Sequence, residues 1–107
     1  MDQTEKLLRE ITEAGGVPGY EGDVRAIMRG YLEDVAVVEQ DKMGSFIGKH
    51  VGEADSPRVM LAGHMDEIGF MVKHITKEGF VKFLQLGGWW DQVLLGHRVL
   101  IKTAQGD

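Results

Sequence analysis

No cysteine occurs anywhere in this 107-residue sequence. That excludes a disulfide framework, a thiolate nucleophile and a cysteine-ligated metal. A basic excess is missing too: twelve lysines and arginines face seventeen aspartates and glutamates, a formal net charge of −5. A chain of that sign is poorly suited to gripping nucleic acid by its phosphates. No apolar segment approaches membrane-spanning length, and the N-terminus lacks the basic-then-apolar pattern of a signal peptide. Internal repeats, low-complexity tracts and interdomain linkers are not evident either. Together these absences predict a cytoplasmic protein that binds neither membrane nor nucleic acid.

The hydrophobic and charged fractions, 43% and 27%, are those of an ordinary globular protein. The length allows one modest domain with a real core. Charge is uneven along the chain. Residues 1–57 hold six basic and twelve acidic side chains, and residues 58–107 hold six and five. The acidic excess therefore falls mainly in the N-terminal half, as a solvated helical face.

Two helices open the chain. Asp2 followed three residues later by Glu5 suits a helix start, Leu7, Leu8 and Ile11 recur at helical spacing, and Gly15-Gly16 ends the segment. The second helix follows Gly19, with Val24, Ile27, Met28, Tyr31 and Leu32 on one face and Gly22 weakening its first turn. From Val35 the period changes. Val35–Val38 and Ser45–Val51 read as strands joined by a turn at Asp41–Gly44. Further strands are expected at Val59–Ala62, Ile68–Ile75, Phe80–Leu84 and Val99–Lys102. The fold class predicted is α/β at the start and mostly β afterwards.

The stretch Arg58–Val72 organises the rest. Val59–Ala62 follows the turn signal Asp55-Ser56-Pro57 and reads as a buried strand, Gly63 releases the backbone, and His64 and Asp66 come next. Ligands gather at the carboxyl ends of strands in open α/β sheets, so His64 is a candidate metal ligand. A neutral imidazole suits zinc or cobalt and usually needs a carboxylate or carbonyl on its other ring nitrogen. Two residues apart in extended chain, Asp66 points to the same side and could orient His64. His50, His74 and His97 stand alone within or beside strand patterns and read as structural or surface residues.

The whole run Ala62-Gly-His-Met-Asp-Glu-Ile-Gly-Phe70 resembles the signature of metallopeptidase family forty-two, the tetrahedral aminopeptidases. Members are often labelled glutamyl or deblocking aminopeptidase, or "endoglucanase M". Three other segments match in the same order: Gly16-Val-Pro-Gly-Tyr-Glu21 with Val24-Arg25, Asp41-Lys-Met-Gly-Ser45, and Leu86-Gly-Gly-Trp-Trp-Asp91 with Gln92-Val-Leu94. The last departs from the family pattern in carrying two tryptophans, Trp89 and Trp90, where one is usual.

The resemblance implies the opening of a two-metal aminopeptidase catalytic domain over residues 1–72. Residues 73–107 would then begin an inserted, β-barrel-like dimerisation domain. It implies His64 as a metal ligand, Asp66 as support of the site, and two divalent ions, zinc or cobalt. The remaining ligands and the general base come from later sequence in the family, so Glu67 is not assigned as the base. The partners implied are a peptide substrate and further copies of the chain, dimer-based and possibly a dodecamer. On this reading the 107 residues are an N-terminal fragment that is inactive alone. Two other readings are a non-enzymatic, β-rich assembly module and, ranked last, a glycosidase, which needs two carboxylates flanking a sugar cleft.

Overall fold

The computed structural model describes residues 2–106. Helix α1 spans Gln3–Glu13 and starts where the sequence supplies a cap: Asp2 Oδ1 accepts the Glu5 N–H at 2.7 Å. The bond satisfies one of the donors that a first helical turn leaves open. Helix α2 spans Gly22–Leu32. Its stripe of Val24, Ile27, Met28, Tyr31 and Leu32 is buried or half-buried, whereas Asp23, Ala26, Arg29 and Gly30 are exposed. α2 lies against α1, and the Tyr31 hydroxyl donates to Glu10 Oε2 at 2.8 Å across the pair. That bond, with partial desolvation and the Glu10 charge adding to it, raises the phenol's pKa above its ordinary value.

Strands β1 (Val37–Gln40) and β2 (Phe46–Lys49) form an antiparallel hairpin beside α2. β1 begins later than the sequence pattern suggests. Val35 and Ala36 instead close the end of α2, their N–H groups donating to the Leu32 carbonyl at 3.1 and 2.9 Å. In the connecting turn, Asp41 Oδ1 accepts from the N–H groups of Met43 at 2.9 Å and Ser45 at 2.8 Å. Gly44 takes a φ of 92°, which a residue without Cβ adopts freely. Hydrogen bonding from Ser45, side chain first and backbone second, holds the Asp41 carboxyl below its ordinary pKa.

A second antiparallel hairpin pairs β3 (Gly69–Ile75) with β4 (Val81–Leu86). Its turn is closed by Thr76, whose N–H donates to the Phe80 carbonyl at 2.8 Å while its hydroxyl accepts the Phe80 N–H at 3.2 Å. The register shifts between Val72 and His74, leaving Lys73 as a bulge. Val72 pairs with Phe83 and Ile75 with Val81, partners two apart on β4, so Val72 and Ile75 share a face despite their odd spacing. Phe70 joins Phe83 on that face, edge to face with ring centroids 4.6 Å apart. β3 also runs unbroken through residues 72 and 73, where the sequence reading divides the chain. After β4 comes one turn of 3₁₀ helix, Asp91–Val93, held back to the strand by Gln85 Nε2 donating to Asp91 Oδ1 at 2.8 Å.

Three expectations are corrected. Val59–Ala62 is not a buried strand: it has no ladder partner among the described residues, and Leu61 is 95% exposed. Its apolar run is strand-like, but a strand exists only where a neighbour takes up its N–H and C=O groups. Val99–Lys102 is not a strand either, for the same reason. Beyond it the chain makes only an isolated bridge between Thr103 and Gly106. Lys102 pairs with Asp23 at the start of α2.

The third correction is the core. Among the described residues Val24 is the one hydrophobic side chain that is buried. The radius of gyration is 17.9 Å, against about 13 Å for a compact domain of this length. The two hairpins and the helix pair thus leave most of their apolar faces open. No helix among the described residues is long and apolar enough to cross a membrane.

Candidate metal centre

Residues 61–68 run without regular secondary structure from the exposed apolar stretch into β3. Within them His64 Nδ1 lies 3.0 Å from Asp66 Oδ1 and 3.1 Å from the Asp66 backbone oxygen. An ionised carboxylate and a carbonyl can only accept, so Nδ1 carries the proton of the neutral ring. The lone pair then sits on Nε2. The His64 side chain is 87% exposed, leaving that nitrogen open to a ligand. This is the state in which histidine binds a divalent metal, one nitrogen held by an oxygen acceptor and the other free to coordinate. The pair therefore fits one corner of a metal site.

One corner is not a full set. Among the described residues no group of three or more His, Asp or Glu side chains is placed to hold a metal ion. The other histidines lie elsewhere. His50 Nδ1 is 2.6 Å from the Val35 carbonyl oxygen, closing the end of the first hairpin. His74 pairs with Lys82 within the second hairpin, and His97 follows the 3₁₀ turn.

Glu67 faces different company from its neighbours. Its N–H donates to the Gly16 carbonyl at 2.8 Å, and its Oε1 accepts the Gly16 N–H at 3.1 Å. Nothing in the local pattern of the sequence announces this contact across 51 positions. The only hint is that Glu67 is out of step with His64 and Asp66. Of the two tryptophans, Trp89 is the packed one. Its ring stacks on Phe70 and its Nε1 donates to the Gly69 carbonyl at 3.0 Å, whereas Trp90 is 75% exposed.

The family model described as M42 glutamyl aminopeptidase matches residues 44–107, more than half of the chain and including the His64–Asp66 pair. The chain belongs to the M42 family. A second model, described as AMPT, matches residues 2–28. Among M42 relatives, the lysyl aminopeptidase of Pyrococcus furiosus is 38% identical over 95% of this chain. The TET aminopeptidase of the marine sediment archaeon Thaumarchaeota archaeon SCGC AB-539-E09 has a solved structure with a TM-score of 0.91. It is 46% identical and covers 98% of this chain. The PhTET1-12s dodecamer gives a TM-score of 0.86 at 35% identity over 99% of the chain. The chain spans 30% of the lysyl aminopeptidase, 30% of the archaeal TET chain and 32% of the dodecamer's chain. Arrangement and sequence thus agree with about a third of an M42 enzyme.

Proposed function

We propose that the protein carrying this chain is a metal-dependent aminopeptidase that releases residues from the N-termini of short peptides. The observation that carries the reading is the His64–Asp66 contact in a chain of the M42 family. His64 would hold a divalent ion through Nε2, and Asp66 would keep the ring in the tautomer that leaves Nε2 free. A pair of such ions, zinc or cobalt, supplies Lewis acidity at a scissile carbonyl and a water acidic enough to attack near neutral pH. The rest of the ligand set and the general base would come from outside these residues. The 107-residue chain by itself is accordingly inactive in this proposal.

The same reading makes residues 1–72 part of the catalytic domain and 73–107 the start of a β-barrel-like inserted domain. The assembly is a homo-oligomer built from dimers, in keeping with the TET neighbours, and the compartment is cytoplasmic. The test uses the full-length protein, assayed for release of N-terminal residues with zinc or cobalt added and after chelation. Chelator-sensitive release that disappears in His64→Ala supports the proposal; release that persists in His64→Ala removes His64 from it.

A second reading has an observation of its own. With Val24 the one buried hydrophobic side chain among the described residues and so many others open, a non-catalytic assembly role would also suit this chain. A full-length protein that oligomerises but hydrolyses no peptide with any divalent metal would favour that reading. The glycosidase reading ranks last, because the candidate site is centred on an imidazole and not on two carboxylates.

A further inference from the structure

We infer that Glu67 is a positioning residue for the His64–Asp66 pair, clamping the segment that bears them to Gly16 in the loop after α1. The inference rests on the metal role proposed for His64. Its first support is the doubled grip, in which Glu67 uses its N–H and its carboxylate on the carbonyl and the N–H of one glycine, at 2.8 and 3.1 Å. Among the described residues these are the hydrogen bonds that join residues 51–68 to the other elements; Arg58 and His64 bond only within the segment.

The second support is close packing around the clamp, tight enough at Gly69 to exclude a side chain. A Cβ at Gly16 would stand 2.9 Å from Val24 Cγ2 and 3.4 Å from the Met65 carbonyl oxygen. At Gly69, just beyond the clamp, a Cβ would stand 2.2 Å from Val17 Cγ1. The loop from Gly16 to Val17 and the segment from Met65 to Gly69 are therefore in direct contact on both sides of Glu67. Gly16 is itself buried beneath α2.

The third support is division of labour. The Asp66 carboxylate engages His64, while the next residue's carboxylate engages Gly16. One residue sets the angle of the imidazole and its neighbour sets where the backbone beneath it lies. A ligand on an otherwise unpaired stretch is only as well placed as that anchor, and metal affinity depends on such placement. What Glu67 must supply is an acceptor oxygen at the right reach. Its negative charge is not needed for that.

The test measures zinc affinity of the folded, metal-free full-length protein by competition with a chromophoric chelator, with circular dichroism to check the fold. Glu67→Gln keeps the acceptor and should bind zinc as the unsubstituted protein does. Glu67→Ala should bind about 10- to 100-fold more weakly, and Glu67→Asp, one methylene too short, should be weakened with it. Unchanged affinity in Glu67→Ala overturns the inference, as does Glu67→Gln falling as far as Glu67→Ala. Should Glu67→Ala not fold, equal affinity of the Gln and Asp variants overturns it. If His64→Ala binds zinc like the unsubstituted protein, the metal reading fails and the inference falls with it. If the affinities follow the expected order and no peptide is hydrolysed, the clamp stands and only the aminopeptidase reading is lost.

Discussion

Trp89 lies flat against Phe70, their ring centroids 4.6 Å apart and their planes inclined by 21°. The indole N–H reaches past that ring to the carbonyl of the neighbouring Gly69. One side chain thus ties the loop after β4 to the first residues of β3 by area, stacking and a directed bond. Trp90, beside it, is mostly in water. Replacing Trp89 by alanine should destabilise the β3–β4 hairpin by roughly 2–4 kcal/mol. Trp90→Ala should stay within about 0.5 kcal/mol unless another surface covers that side chain. Amide hydrogen exchange of residues 69–86 in the two variants distinguishes them, and equal protection in both would contradict the assignment.

For the candidate metal centre, His64→Ala and Asp66→Ala should differ in degree. If His64 is the ligand proposed above, losing its imidazole should abolish metal-dependent peptide release. Losing the carboxylate keeps the proposed ligand but frees its ring, which on that proposal should lower metal affinity or activity by about 10- to 100-fold. Titrating zinc back into each full-length variant makes the comparison. Partial rescue of Asp66→Ala at high zinc is expected, and no rescue of His64→Ala. If Asp66→Ala behaves like the unsubstituted protein, Asp66 has no part in holding the ring.

Gly69→Ala should be costly although the change is a single methyl group. The added Cβ would have to share space with Val17 Cγ1 at 2.2 Å. Relief requires moving either β3 or the loop before α2, a loss of about 1–3 kcal/mol by the usual cost of overpacking. Gly22→Ala offers the contrast, since nothing lies within 4 Å of its missing Cβ and it sits in a helix. That substitution should be neutral or mildly stabilising. Thermal melting of the two variants side by side is sufficient.

Acid should loosen the Asp41 turn before the rest of the first hairpin. The Asp41 pKa is lowered in the folded chain because Ser45 and Met43 bond its ionised carboxylate. A carboxyl lowered on folding contributes stability in full above its unfolded pKa and loses it as pH falls through the folded value. Amide signals of Met43 and Ser45 should therefore weaken in protection as pH falls below the ordinary aspartate value of about 4. Asp41→Asn should remove that pH dependence while leaving the glycine turn in place. An acid response unchanged by the substitution would assign it to another group.

How much of this was legible beforehand depends on the range of the interaction. The Asp2 cap of α1, the α2 stripe and both hairpin turns are written within a few residues, and the structure shows them where the sequence suggests. The His64–Asp66 contact is equally local, which is why a spacing of two was enough to expect it. Val59–Ala62 and Val99–Lys102 failed because an apolar run states only that something must cover it. Whether a strand forms depends on a partner, and none is present among the described residues. The Glu67–Gly16 bonds were invisible for the opposite reason, being made by residues far apart whose types say nothing of each other. The bulge at Lys73 was invisible as well. Nothing in the strand expected over Ile68–Ile75 marks it, and only the β4 register shows that Val72 and Ile75 share a face.

That bulge has a consequence for how the hairpin tolerates insertions and deletions. Lys73 is the extra residue, paired with nothing on β4, so removing it would leave Val72 and Ile75 two apart in a regular ladder with the same partners. Ile75 would stay opposite Val81 and keep its face, whereas a residue inserted elsewhere in β3 would carry Ile75 to the opposite side of the ribbon unless a second bulge formed. Substitution at Lys73 should be forgiving, and so should its deletion. A one-residue insertion elsewhere in β3 should be punished, whereas the exposed turn at Lys77 and Glu78 can absorb it. Relatives compared across this hairpin should accordingly vary in residue type at position 73, or lack it, and vary in residue number at the turn.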